Sequence, residues 1–308
     1  MTKTVLILGA TGRFGKHSAD AFRTAGWRVE TLRRPGGTSG TRAGDPMAPD
    51  GLIAAAQGVD VIVNALNPAY PDWSRDLPRI TRSVIAAAQS CGARVIIPGN
   101  IYPYGTRMPR LLQTTTPHVA QTKKGRLRIE MENAYRRAHV PTLILRAGDF
   151  IDTEASGNWL ESHMLKPLGK GAIMYPGPLD RPHAWAYLPD VARAAVALIE
   201  QGSLPDFADI PFQGYTLTGQ DLLAAISESA GQSLRVTPMR WGAVKLVSLF
   251  SPLMREVLEM RYLWEVPHGL DPAPLTALLP DFECTPLQVA LRSLIAQPGQ
   301  SISTQTSR

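Results

Sequence analysis

The sequence predicts a doubly wound α/β fold: a parallel sheet with helices on both faces and a smaller C-terminal region set against it. Three observations carry that expectation. Continuous apolar runs bounded by turn residues alternate with longer amphipathic stretches through the first half of the chain, as buried parallel strands and crossover helices do. The first run, Val5-Leu6-Ile7-Leu8, passes directly into Gly9-Ala10-Thr11-Gly12-Arg13-Phe14-Gly15. After Arg146 the alternation gives way to a stretch punctuated by Gly157, Gly169, Gly171, Pro176, Gly177 and Pro178, the texture of loop-rich insertions that face a ligand.

Taken in order, strands are expected at Val5 to Leu8, Arg28 to Leu32, Val59 to Asn64, Arg94 to Ile97 and Thr142 to Arg146. Helices near Gly15 to Ala25, Pro49 to Gln57, Asp72 to Cys91 and Lys124 to His139 are each long enough to cross one face of a sheet. A strand at Ala184 to Leu188 and a helix from Pro189 to Gln201 are expected to return to the sheet. Pro189 and Asp190 suit the first turn of that helix. From Gly214 onward a strand, a helix opened by Thr218 and closed near Gly231, a strand from Ser233 and helical segments to Ile295 are read as a small cap.

The glycine run has a physical reading. Gly9 permits a tight turn, Gly12 lets the backbone approach a pyrophosphate without an intervening Cβ, and Gly15 lets the helix pack closely on the strand. The helix N-terminus then offers free N–H groups to an anion. A dinucleotide is the expected cofactor, held by Gly9, Thr11, Gly12, Arg13, Phe14 and Gly15. At the end of the second strand stands Thr31-Leu32-Arg33-Arg34-Pro35, with no carboxylate to grip a ribose 2′-hydroxyl. Paired guanidinium groups at Arg33 and Arg34 suit a 2′-phosphate, so NADP is expected over NAD, the plainer reading being two solvated loop residues. Residues 1–150 are thus read as a dinucleotide-binding Rossmann domain rejoined by 180–202. Residues 151–179 and 203–296 form the substrate or cap region, and 297–308 a disordered tail.

Composition excludes other classes. The 308 residues, 44% hydrophobic and 19% charged, can bury a large core. No apolar stretch reaches the roughly 20 residues of a spanning helix, and the N-terminus lacks the apolar core of a secretory signal, so no membrane association is expected. Cys91 and Cys284 are too few for a disulfide framework, which favours the cytoplasm. The six histidines show no zinc spacing, and no metal is expected. The net charge of +6 is dispersed, and nucleic acid is not an expected partner.

With the glycine loop, Gly44-Asp45, the run Gly58 to Ala65, Tyr104-Gly105, Leu145-Arg146-Ala147-Gly148-Asp149-Phe150, Asp190-Val191-Ala192-Arg193-Ala194 and Thr216-Leu217-Thr218-Gly219, the chain resembles the extended and atypical short-chain dehydrogenase/reductases, which include the NAD-dependent epimerase/dehydratase group. The resemblance covers residues 4–296. It implies that Asp45 approaches the adenine amino group and that Ala65 and Leu66 line the adenosine side of the cofactor. It also places the loop after Phe150 and the strand before Asp190 beside the nicotinamide, where Trp159, His163, His183, Trp185 and Tyr187 are cavity candidates, with packing as the competing reading for each.

The catalytic positions depart from that family's pattern. A Ser or Thr is usual four residues before the Tyr-Gly pair, and here it is Asn100. Where the family carries Tyr-x-x-x-Lys, matching Gly125 and Glu132 puts Lys124 at the tyrosine position and Arg128 at the lysine position. Arginine cannot give up its proton, and Lys124 would need a lowered pKa to replace a phenol. Tyr102 or Tyr104 is the alternative proton donor, with simple packing as the competing reading. The basic run Lys123-Lys124-Gly125-Arg126-Leu127-Arg128 at a helix start opposes the helix dipole, so an anion is expected there. Glu130 and Glu132 are one source; the cofactor ribose or an acidic substrate facing Lys124 and Arg128 is the other.

Three functions follow as expectations. The first is an NADP-dependent oxidoreductase acting on a small carbonyl, alcohol or sugar-like substrate. The others are a non-catalytic NADP-binding sensor and an NAD-dependent epimerase or dehydratase. An apolar stripe at Leu77, Ile80, Val84 and Ile85 reads either as core or as the seam of a homodimer.

Overall fold

The computed structural model describes residues 2–33, 36 and 40–295; Arg34 and the expected tail 297–308 lie outside them. In chain order the first half comprises β1 (Thr4–Leu8), α1 (Arg13–Thr24), β2 (Arg28–Arg33), β3 (Arg42–Ala43), α2 (Pro49–Ala55), β4 (Val61–Asn64), α3 (Trp73–Cys91), β5 (Arg94–Gly99), β6 (Leu111–Leu112), α4 (Lys123–Arg137) and β7 (Thr142–Arg146). Next come β8 (Asp149–Ile151), β9 (Ala172–Tyr175), β10 (His183–Tyr187), α5 (Leu188–Gln201), β11 (Phe207–Pro211) and β12 (Tyr215–Leu217). The chain continues through α6 (Gly219–Ala230), β13 (Arg235–Pro238), α7 (Trp241–Val247), α8 (Pro252–Glu259), α9 (Tyr262–Glu265), β14 (Gly269–Leu270), α10 (Ala273–Leu278) and α11 (Leu287–Ile295).

Seven strands in the order β11-β7-β5-β4-β1-β2-β3 form one parallel sheet. Because side chains alternate across a strand, β1 sends Val5 and Ile7 to one face and Leu6 and Leu8 to the other. The first pair packs with Phe14 and Phe22 of α1 and Val191 and Leu198 of α5. The second packs with Leu52 of α2, Ile80 and Val84 of α3, and Met131 and Tyr135 of α4. The stripe on α3 is therefore used inside the chain's own core. A separate core under the C-terminal elements gathers Trp185, Trp264, Tyr175, Leu222, Ile226 and Leu291. There α6 starts on a reciprocal pair in which Thr218 and Asp221 cap each other's backbone, and it stops at Gly231 with φ 64°. No helix among the described residues is long and apolar enough to cross a membrane.

The expected return of 180–202 to the sheet needs correction. Helix α5 does cover the sheet beside α1, but β10 does not join it. It pairs instead with β8 in parallel and β12 in antiparallel fashion, in a three-stranded sheet of its own. The returning strand is β11, in residues read from sequence as cap, and it pairs with β7 from Phe207 opposite Thr142 to Pro211 opposite Arg146. Its sequence hides it, since Pro205, Asp206, Asp209 and Pro211 break the apolar run. An edge strand tolerates proline in a way a central strand does not.

What secures that edge is Arg146, which is fully buried. Its guanidinium donates to Glu132 Oε1 and Oε2 at 3.1 and 3.0 Å, to Asp209 Oδ1 and Oδ2 at 3.0 and 2.5 Å, and to the Asn100 carbonyl at 2.6 Å. All five N–H donors are satisfied. The group thereby ties β7 to α4, to β11 and to the turn after β5. His118 completes the cluster, with Nδ1 3.4 Å from Glu132 and Nε2 3.7 Å from Asp209. His118, Glu132 and Asp209 are the three-residue group of potential metal ligands among the described residues. The Arg146 guanidinium engages both carboxylates, one positive charge against their two negative ones. Replacing Arg146 with Met strands two buried carboxylates and is expected to destabilise the fold by about 3–5 kcal/mol. Urea unfolding of the variant checks this, and an unchanged midpoint contradicts it.

Candidate functional site

At the carboxyl end of β1 the chain turns on Gly9, whose φ of +83° is open to glycine without strain. The Gly12 amide donates to the Gly9 carbonyl at 2.9 Å, and α1 begins. Here Gly15 is obligatory, since a Cβ on it would sit 2.1 Å from the Gly9 oxygen. Gly12 caps α1 without any side-chain hydrogen bond, and the first turn holds no carboxylate. The helix start is left with free N–H groups, which is what an anion needs.

This turn forms one end of a cavity of about 940 Å³. The cavity opens where the order of strands reverses between β1 and β4, the usual ligand crevice of a doubly wound sheet. Gly9, Thr11, Gly12, Arg13 and Phe14 border it, followed by Ala65 and Leu66 beyond β4, Asn100 and Tyr102 beyond β5, and Arg128 on α4. Of the expected cavity aromatics, Trp159 and His163 border it as well. His183, Trp185 and Tyr187 are buried in the packing behind it.

Several expected side chains have other partners. Arg13 donates through Nε to the Ser156 carbonyl at 3.0 Å and through Nη1 to Asn158 Oδ1 at 2.9 Å. These bonds turn two of the Arg13 guanidinium nitrogens onto the segment after β8. One turn on, Lys16 meets Glu154 at 2.5 Å and His17 Nε2 meets Asp152 at 2.6 Å, so α1 is laced to the segment 152–158. Asp45 accepts from its own loop at the Met47 amide, 2.8 Å away, and it is Pro46 and Met47 that reach the cavity. Arg33 closes β2 with the bare backbone of Gly40 against it, and it does not border the cavity.

The catalytic candidates separate. Asn100 accepts from the Tyr102 amide at 3.1 Å, and the Tyr102 hydroxyl lies 3.0 Å from that of Tyr70. Burial, then the neighbouring Tyr70 and Asp149, pushes the Tyr102 phenol well above its ordinary range. Tyr104 is likewise raised by burial and packs at 5.0 Å against His118, away from the cavity. Lys124 does not reach the cavity. Its ammonium donates to the Glu256 carboxylate, to the Glu256 carbonyl at 3.0 Å and to Glu259 at 3.1 Å, and its three protons are thereby engaged. At the basic start of α4 the anion expected for Lys124 is supplied by Glu256 and Glu259 of α8, and Glu132 is held by Arg146. Arg128 does face the cavity, stacked 4.5 Å from the Trp73 ring.

Sequence reasoning missed Asn67, Tyr70 and Trp73, which border the cavity between β4 and α3. The aromatic and proline-rich run Asn67-Pro68-Ala69-Tyr70-Pro71-Asp72-Trp73 was the available signal. It also missed Asp149, at the cavity wall and paired at 2.7 Å with His183.

The parallel sheet, the glycine turn and the crevice beside it define a Rossmann-type protein of the short-chain dehydrogenase/reductase superfamily. The chain belongs to the NAD dependent epimerase/dehydratase family, whose sequence model matches residues 5–208. Among solved structures, it is similar to a putative epimerase from Burkholderia cenocepacia, at 19% identity and a TM-score of 0.76 over 96% of this chain and 97% of that one. A nucleoside-diphosphate-sugar epimerase from Pseudomonas aeruginosa matches at 18% identity, TM-score 0.75, again over 96% and 97%. The UDP-glucuronic acid 4-epimerase from Bacillus cereus, solved in complex with NAD, matches at 14% identity and TM-score 0.71 over 95% of each chain. No curated protein matches the chain in sequence.

The lacing of α1 depends on pH. Burial works to raise the Asp152 carboxyl, but the His17 ring, the Ser156 hydroxyl and the Thr153 amide outweigh it and hold the group below its ordinary 3.8. A depressed carboxylate contributes stability that is complete above the unfolded value and is lost as pH falls through the folded one. Amide exchange in segment 152–158 is therefore expected to stay slow at pH 5–7 and to rise below about pH 3.8 before the sheet opens. Exchange that rises together across the whole chain contradicts this.

Proposed function

We propose that the chain is a nicotinamide-dinucleotide-dependent enzyme that moves a hydride to or from the carbon of a small carbonyl, alcohol or sugar-like substrate, with NADP preferred over NAD. One observation carries the reading: a single cavity joins the glycine turn to the Tyr102 and Tyr70 hydroxyls. The residues fit such a cofactor. A Cβ at Gly9, Gly12 or Gly15 would crowd the turn, the start of α1 has no side-chain cap, and the buried Asn64 Oδ1 at the cavity wall has no hydrogen-bond partner among the described residues. The turn would hold the pyrophosphate, and Ala65 and Leu66 the adenosine side. When bound, the dinucleotide supplies the hydride donor or acceptor.

The chain's own part is to hold the substrate oxygen. With its phenol kept neutral by burial, Tyr102 serves as a hydrogen-bond donor whose Oη is oriented by Tyr70 and whose backbone is fixed by Asn100. Tyr102→Phe is expected to lower kcat about 10²-fold or more, with dinucleotide affinity unchanged. Stopped-flow turnover beside fluorescence titration checks this.

The preference for NADP rests on Arg33 and Arg34 and on the absence of a carboxylate at the end of β2. Changing both to Ser is expected to weaken NADPH at least tenfold and NADH less than threefold; equal weakening excludes the preference. The NAD bound to the Bacillus cereus structure supports a second form of the reading, in which a retained dinucleotide oxidises and re-reduces one sugar carbon. A binding protein without turnover is favoured by one observation, the engagement of Lys124 with α8. Tight NADPH binding with no substrate-dependent oxidation across carbonyl and sugar-nucleotide panels would replace the enzyme reading with that one.

A further inference from the structure

Two arginines are buried at the centre of the molecule, and their surroundings are opposite. Arg146 has five satisfied donors and two carboxylates. Arg128 is 8% exposed and has no ion pair among the described residues. Its contacts are weak: Nη2 to Asn67 Oδ1 at 3.4 Å and Nη1 to the Met131 sulfur at 3.8 Å, with Nε unpartnered. The Trp73 ring covers one face of the guanidinium at 4.5 Å. A permanently charged group in such a place is costly unless something completes it.

The described residues do not complete it. Glu132, one turn along α4, is held by Arg146. The acids that border the cavity are engaged elsewhere: Asp72 and Asp76 by Arg75, Asp149 by His183, Asp152 by His17 and Glu154 by Lys16. The dinucleotide reading places its pyrophosphate on the start of α1, and the nicotinamide ribose is neutral. The missing anion belongs to the substrate.

We propose that Arg128 anchors a subsite for an anionic substrate, gripping a carboxylate or phosphate group in the plane of its guanidinium while Trp73 closes one face and Asn67 fixes the fork. This deepens the proposed function, since it names the substrate's charge in that same cavity. A planar fork with free donors matches either oxyanion through paired charge-assisted hydrogen bonds.

The test compares wild-type chain with Arg128→Met and Arg128→Lys by calorimetry and thermal melting. The probes are inorganic phosphate and malonate, each with and without saturating NADPH. Wild type is expected to bind at least one probe in the presence of NADPH, and the tighter of the two identifies the source of the oxyanion. Arg128→Met is expected to lose that affinity at least tenfold while NADPH affinity changes less than threefold. Arg128→Lys is expected to fold and retain part of the binding. Without ligand, Arg128→Met is expected to melt above wild type, because an uncompensated charge has been removed; a purely structural arginine would give a lower melting temperature and overturn the proposal. Equal probe binding by wild type and both variants also overturns it, as does competition between probe and NADPH. NADPH binding with no probe binding defeats the subsite alone. Probe binding through Arg128 with no dinucleotide binding defeats the enzyme reading alone.

Discussion

The buried Arg146 guanidinium is the constraint on which the arrangement of this molecule depends. It lies at the end of β7, where the sheet meets the crevice, and ties together four segments: α4 through Glu132, β11 through Asp209, the turn after β5 through the Asn100 carbonyl, and its own strand. A network of this kind stabilises only when every donor and acceptor is matched, and here the match is complete. Its effect on function is positional. Asn100 and Tyr102 follow β5 directly, so the group that pins the Asn100 carbonyl also sets where the Tyr102 hydroxyl stands.

Against that closed cluster, the start of α4 shows how one helix can divide its charges between structure and ligand. Lys123 and Lys124 turn away from the crevice onto Glu256 and Glu259 of α8, which brings the C-terminal elements down onto the nucleotide-binding half. Arg128, one turn later on the same helix face, borders the crevice beneath the Trp73 ring, while the Lys124 ammonium lies 5.2 Å from the neighbouring Tyr70 ring. Both side chains are buried, Lys124 clamped to α8 and Arg128 at the cavity wall. The phenols of the crevice come from the loop after β5 and from the segment before α3.

Much of the fold was legible because it follows from local patterning. β1, β2, β5, β7, α1, α3 and α4 appear where apolar runs and helical spacing put them, and the Thr218 and Gly231 signals bound α6 as read. The glycine turn was legible for the same reason, as its chemistry lies within seven consecutive residues. What could not be read were features made by distant partners. β11 is stabilised by a contact with Arg146 that its own proline-flanked sequence does not announce. Lys124 looked like a site residue because its partners lie about 130 positions away. Tyr70, in the segment before α3, and Trp73, at the helix's start, were missed because nothing in the sequence shows that they face the crevice.

The lacing between α1 and segment 152–158 has a kinetic meaning. Arg13, Lys16 and His17 all hold a flap that belongs to the insertion after β7, yet they stand on the very helix whose start forms the anion cradle. Those links hold the flap against the start of α1, and both border the cavity, so the flap leaves the helix only when they part.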